Sequence, residues 1–149
     1  MIGLLVVPES VECLYPLKTV VMDYTLEQLE VYEMAELFSD EIWEIVMKWD
    51  FFTKDTMGKQ IVRSADSISA NIAEGYGRYY YKESKQFYFY SRGSVQETKS
   101  WLRKCKRRKI IPKEIGDDLL KRAEVILIKL NAYIKFVSKS AKHNPKWNS

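Results

Sequence analysis

The chain has 149 residues, of which 46% are hydrophobic and 30% charged, enough for one domain with a real core. It holds no apolar run long enough to span a bilayer. The apolar stretch at residues 2–7 is too short for a secretory signal and follows no positive charge, so the expected protein is soluble and cytoplasmic. Cys13 and Cys105 are the only cysteines and His143 the only histidine, which argues against a disulfide framework, a zinc site and histidine-based triads. The net charge of +4 hides a division: residues 1–52 carry eleven acids and two bases (−9), residues 53–149 nine acids and twenty-two bases (+13). An acidic first segment and a basic remainder suggest internal neutralisation together with a surface that attracts a polyanion.

In chain order, residues 1–22 lack a clear period and contain Pro8 and Pro16, so they read as a disordered leader. Met22 stands directly before the first good helix signal and is a candidate start. The first helix is predicted from Thr25 to Trp49, with Thr25 and Gln28 as a capping box and Val31, Met34, Phe38, Ile42, Ile45 and Trp49 at helical period. The second runs from Thr53 to Glu74, closed by Gly75 in a left-handed cap, with an apolar stripe of Ile61, Ala65, Ile68 and Ile72. The third begins near Tyr81 and runs to Arg108. The fourth begins at Pro112, carries Leu119, Ala123, Ile126, Leu130, Tyr133 and Val137 on one stripe, and frays after Ser140. No segment shows strand alternation. The expected fold is all-α, an antiparallel up-down four-helix bundle over residues 23–140, with a disordered tail at 141–149.

The stretch RSADSISANIAEGYGR, Arg63 to Arg78, carries the clearest family signature, with SISANIAEGYGR as its core. A second block, KESKQFYFYSRGSVQE at residues 82–97, supports it through Gly93, Ser94 and Glu97. Together they resemble the bacterial four-helix-bundle family named for proteins encoded in intervening sequences of large-subunit (23S) ribosomal RNA, over roughly residues 24–140. Two departures are Ser69, where many relatives have proline, and the tyrosine-rich stretch 79–90. The resemblance implies a bundle that assembles into a ring, usually a homopentamer. It also implies kinship with the accessory proteins of diversity-generating retroelements, basic rings that engage a reverse transcriptase and nucleic acid.

Arg63, Ser67, Asn71, Glu74 and Arg78 recur at steps of 4, 4, 3 and 4, making a polar seam beside the apolar stripe. One reading pairs the seam with Ser94 and Glu97 across an antiparallel third helix, Gly93 allowing close approach, so that it locks the hairpin. The other makes Glu74 an acid or base beside phosphate-binding arginines. The first is preferred, because Glu74 has no nucleophile or metal partner in view. The tract Arg103, Lys104, Lys106, Arg107, Arg108 and Lys109 exceeds what a helix C-terminus asks for and is the candidate nucleic-acid contact. Lys82, Lys85, Lys113, Lys121 and Arg122 are candidate extensions. Phe87 and Tyr90 read as core or interface, and Tyr79, Tyr80 and Tyr81 as subunit contacts or base-stacking groups. Gly75-x-Gly77 closes a helix and is no phosphate loop, and Asp117-Asp118 is an N-terminal charge complement.

These features predict a non-catalytic homo-oligomer, with no cofactor or metal, that binds RNA or other nucleic acid and serves a ribonucleoprotein or reverse transcriptase. The alternative is a protein-interaction adaptor for which nucleic acid is incidental. An enzyme built on Glu74 is the third and weakest.

Overall fold

Thr25 and Gln28 make the capping exchange read from the sequence: the Thr25 backbone N–H donates to the Gln28 side chain at 3.0 Å. They enclose a separate 3₁₀ turn, Leu26–Gln28, and α1 starts after it, at Glu30–Met47. The computed structural model describes residues 25–142. The expected leader, and the tail from residue 143, lie outside the described residues. The second helix, α2, has three parts: a first turn Phe51–Thr53, a π-helical turn Lys54–Gly58 and a body Lys59–Tyr76. Helix α3 is Tyr81–Arg107 and α4 is Lys113–Lys142.

Asp50, which the sequence reading passed over, caps α2: its carboxylate accepts from the Thr53 backbone N–H at 3.1 Å and the Thr53 hydroxyl at 2.6 Å. The cap expected at Gly75 is corrected. Gly75 lies inside α2, and Gly77 ends the helix with right-handed angles. A Cβ on Gly75 would stand 2.6 Å from the Tyr88 ring and 2.9 Å from the Ser84 carbonyl oxygen. This glycine is therefore there for close approach of α2 and α3. Gly93, expected to serve that purpose, faces open space. The left-handed residue is Lys109, with φ 56° after α3. The Ile110 N–H reaches the Cys105 carbonyl at 2.9 Å and the Lys109 N–H the Lys106 carbonyl at 3.0 Å, a Schellman closure made without glycine. Pro112 precedes α4, its carbonyl accepting from Gly116 N–H at 3.0 Å.

The helices run up and down in the cyclic order α1, α2, α3, α4, each packed on its two neighbours, with the α1–α4 contact the slightest. The α1/α2 face therefore lies opposite the α3/α4 face. Between them Phe38, Ile42, Ile68, Ile72, Leu102, Leu119, Ile126 and Leu130 form a fully buried core. The α2 stripe is buried throughout, while Met34, Ile45 and Trp49 of the α1 stripe sit at the core's edge.

The polar seam does not lock the hairpin. The Ser67 hydroxyl donates to the Arg63 carbonyl at 2.7 Å, the Asn71 amide to the Ser67 carbonyl at 2.7 Å, and Arg78 pairs with Glu74 one turn away. Ser94 donates to the Tyr90 carbonyl at 3.1 Å, and Glu97 accepts from the Trp101 indole at 3.4 Å. Arg63 has no ion pair among the described residues. Apart from Arg78, which follows α2 and also comes within 3.9 Å of Glu83 of α3, each of these bonds stays within one helix. The cross-helix bonds come from residues nearer the core: the Ser91 hydroxyl donates to the Ile68 carbonyl at 2.7 Å, and the Thr98 and Ser64 hydroxyls meet at 3.0 Å. All three side chains are buried, so both partners are withdrawn from water and a missing bond is costly.

Candidate nucleic-acid interface

Four polar contacts stitch α3 to α4: Tyr81 with Ser138, the Tyr88 and Tyr133 hydroxyls at 3.5 Å, Lys99 with Glu124, and Lys106 with Asp117. Helical geometry places Lys85, Arg92, Arg103 and Arg107 within about 80° of that stitch line on the outer side of α3. Lys121 and Lys135 occupy the matching flank of α4 by the same count. All are exposed except Lys85, which is half-buried. None of these six has an ion pair with an acid among the described residues. Lys85 and Arg92 both lie over the Phe89 ring, at 5.5 and 4.7 Å from its centroid. From Lys85 to Arg107 the strip covers about 33 Å of helix, close to one turn of a nucleic-acid duplex.

The tract Arg103 to Lys109 does not act as one patch. Arg103 and Arg107 join the strip. Lys106 is tied to Asp117, whose carboxyl is held below its ordinary value by hydrogen bonds from Lys106 and Lys113. Lys104 lies over the Trp101 ring at 4.1 Å, and an Arg108 guanidinium N–H points at the Met57 sulfur at 2.9 Å, on the α2 side. Lys109 caps the helix and, with Arg107 and Lys113, rims a concavity of about 720 Å³ floored by Ile110, Ile111 and Pro112.

Of the candidate extensions, Lys85 and Lys121 belong to the strip. Lys113 bonds Asp117 at 2.7 Å. Arg122 turns to α1, pairing with Glu41 and lying 3.6 Å from Asp118. Lys129 reaches Glu30 at 2.8 Å, so the acidic helix does neutralise basic neighbours within the fold. Arg92 stood in the sequence beside the tract, but Lys135 was not singled out. Only the helix pairing shows that they share a face.

Of the core-or-interface reading of Phe87 and Tyr90, the core is corrected for Tyr90, and Phe87 is half-buried. Tyr90 is exposed and meets Phe87 edge-on at 5.7 Å, while the buried aromatic pair is Tyr88 with Tyr133 at 5.2 Å. Burial pushes both phenols above their ordinary values, Tyr88 the further. Tyr79 and Tyr80 stand exposed at the α2–α3 turn with Arg78 beside them, and Arg78 covers the Phe87 ring at 4.7 Å. Glu74 is exposed and, among the described residues, pairs with Arg78 alone. The Cys105 thiol is buried and pushed up to about 11, which makes it a packing group. Among the described residues no group of three His, Cys, Asp or Glu side chains is placed to hold a metal, and no helix is long and apolar enough to cross a membrane.

Residues 27–132 match the family described as 23S rRNA-intervening sequence protein, and the chain belongs to that family. A crystal structure of a protein of unknown function from the S23 ribosomal protein family, from Bacteroides thetaiotaomicron VPI-5482, has the same fold. It superposes with a TM-score of 0.64 at 24% identity, over 70% of this chain and 98% of that one. No curated protein matches the chain.

Proposed function

We propose that this chain is a non-catalytic, cytoplasmic homo-oligomer that binds RNA or other nucleic acid through the α3/α4 face, in partnership with a ribonucleoprotein or reverse transcriptase. The observation that carries this reading is the strip itself: six cations along two stitched helices, none with an acid partner among the described residues. Cations needed only for solubility have no reason to gather on one face. Each phosphate they neutralise releases counterions, which gives affinity without base selectivity. The family's description, tied to 23S rRNA, supports RNA as the first polyanion to test. Ring assembly, as a pentamer, follows from the resemblance. The exposed apolar residues Val125 and Phe136 on α4, and Trp43 and Phe51 on the far side, supply two unlike surfaces of the kind a head-to-tail ring needs.

The test is a titration of a structured RNA against three proteins. Changing Arg92, Arg103 and Arg107 to Gln is expected to weaken binding by at least about tenfold. Changing Lys104 and Arg108 to Gln, off the strip, is expected to leave it within about twofold. Equal losses in both variants would mean that the charge acts diffusely. No binding by the unaltered protein would favour the second reading, a protein-interaction adaptor, which the apolar α1/α2 groove supports.

A further inference from the structure

At the end of the strip, where α3 gives way to α4, the chain folds around the concavity of about 720 Å³. Seven residues line it: Lys106, Arg107, Lys109 and Lys113 supply charge, and Ile110, Ile111 and Pro112 an apolar floor. None of the seven is acidic. Asp117, one of the next acids along the chain, is shared by Lys106 and Lys113, and Glu114 is exposed. Arg107 and Lys109 are also exposed, and neither has an ion pair among the described residues. The volume falls within the range of about 300–1,000 Å³ typical of ligand sites.

Two backbone features shape this corner. Lys109 has φ 56°, at a position where glycine is the ordinary residue. A side chain held there costs conformational energy, and strain of that kind gathers at functional sites. Gly116 faces the stem of Lys106: a Cβ on it would stand 2.3 Å from Lys106 Cγ and 3.2 Å from Ile111 Cδ1. Without that Cβ the Lys106 stem lies against the first turn of α4, and its ammonium reaches Asp117. Asp117 is thereby occupied from one side. The first N–H groups of α4 have no acceptor within the helix and add the positive end of its dipole beside Lys113.

We propose that this concavity seats a phosphomonoester at the end of a nucleic-acid strand, with Arg107, Lys109 and Lys113 on the phosphate and the terminal nucleoside over Ile110 and Pro112. The inference rests on the nucleic-acid reading of the strip and adds which part of the ligand is recognised. Arg107 belongs to both surfaces, so a backbone laid along Lys85, Arg92 and Arg103 arrives at the concavity. An internal phosphate carries one charge. A terminal one carries about −1.5 to −2 at pH 7 and offers three acceptor oxygens. Along α3 the strip's cations stand at least a turn apart, each suited to a single charge. Here three share one hollow, which suits a doubly charged end.

The probe is a labelled RNA of about six nucleotides, made with a 5′ phosphate, with a 3′ phosphate, or with hydroxyls at both ends. Anisotropy reports binding to the full chain. At least one phosphate-ended strand is expected to bind about fivefold tighter than the hydroxyl-ended one. Lys109→Gly with Lys113→Gln should bring that ratio to about one. The first change relieves a left-handed residue and the second alters an exposed side chain, so circular dichroism stays unchanged and the loss is read on a folded protein. Arg92→Gln with Arg103→Gln should weaken all three strands alike and leave the ratio in place. A ratio near one in the unaltered protein overturns the proposal and leaves the strip standing. So does a ratio that survives the Lys109 and Lys113 changes. A free nucleoside monophosphate that competes as well as the phosphate-ended strand also overturns it, since the concavity would then take a mononucleotide. If no strand binds at all, the nucleic-acid reading fails and this inference falls with it.

Discussion

The α1/α2 face and the α3/α4 face are built on the same scaffold and solve opposite problems. On α3/α4 the stitching contacts Lys99–Glu124 and Lys106–Asp117 use two of the acids, and six cations with no ion pair among the described residues form a strip. On α1/α2 a groove is lined by Lys54, Lys59 and Arg63 beside Asp55 and Asp66, and Trp43 and Phe51 stand exposed along it. Ion pairs of α1 with α4, Glu30–Lys129 and Glu41–Arg122, lie on the flank between the two. The lesson is that the net charge of a helix predicts little. What counts is which charges its neighbours have already used.

The largest effect should come from the close approach that aligns the two halves. Gly75→Val drives a side chain into the Tyr88 ring and the Ser84 carbonyl, and is expected to lower stability by at least about 2 kcal/mol in a denaturant melt. Gly93→Ala, in open space, should instead raise it slightly, by up to about 1 kcal/mol. Next come the buried hydroxyls. Thr98→Val and Ser91→Ala should each cost about 1–2 kcal/mol, and Glu74→Gln on the outward seam less than about 0.5 kcal/mol. A large loss from Glu74→Gln with little from Thr98→Val would return the seam to the role first read from the sequence.

Lys109→Gly should relieve the left-handed strain and add up to about 1 kcal/mol, read as a higher midpoint. The smallest effect concerns pH. Because the folded carboxyl of Asp66 resists ionisation, the folded state holds more protons than the unfolded one as pH rises past 3.8, the ordinary value. Stability contributed by that proton is present at acid pH and lost on going toward neutrality. Asp66→Asn should therefore be slightly more stable than the unaltered protein at pH 7, with the gain vanishing below about pH 3. A loss at pH 7 would mean that Asp66 has a cationic partner.

Much of the fold is legible because period survives without knowledge of partners. The stripe Ile61, Ala65, Ile68 and Ile72 could bury only one way, and Thr25 with Gln28 advertises its own turn. The seam was misread because spacing tells which side chains share a face and not whether that face looks inward. Ser64, Ser91 and Thr98 carry no mark that separates them from solvated hydroxyls. Asp50 went unseen because its helix opens on exposed phenylalanines and a π-helical turn, which break the period. The strip was half legible. The run Arg103 to Lys109, with Lys85 and Lys121 as extensions, stands out by composition, while Lys135 joins the strip only when α3 and α4 are laid side by side.

The central claim is that the α3/α4 strip is a phosphate-binding surface, and the salt dependence of RNA affinity tests it most directly. With six cations engaged, the logarithm of affinity should fall with the logarithm of salt at a slope of about −4 to −5, and removing Arg92, Arg103 and Arg107 should halve that slope. A slope near zero, or one untouched by those three changes, would contradict the account.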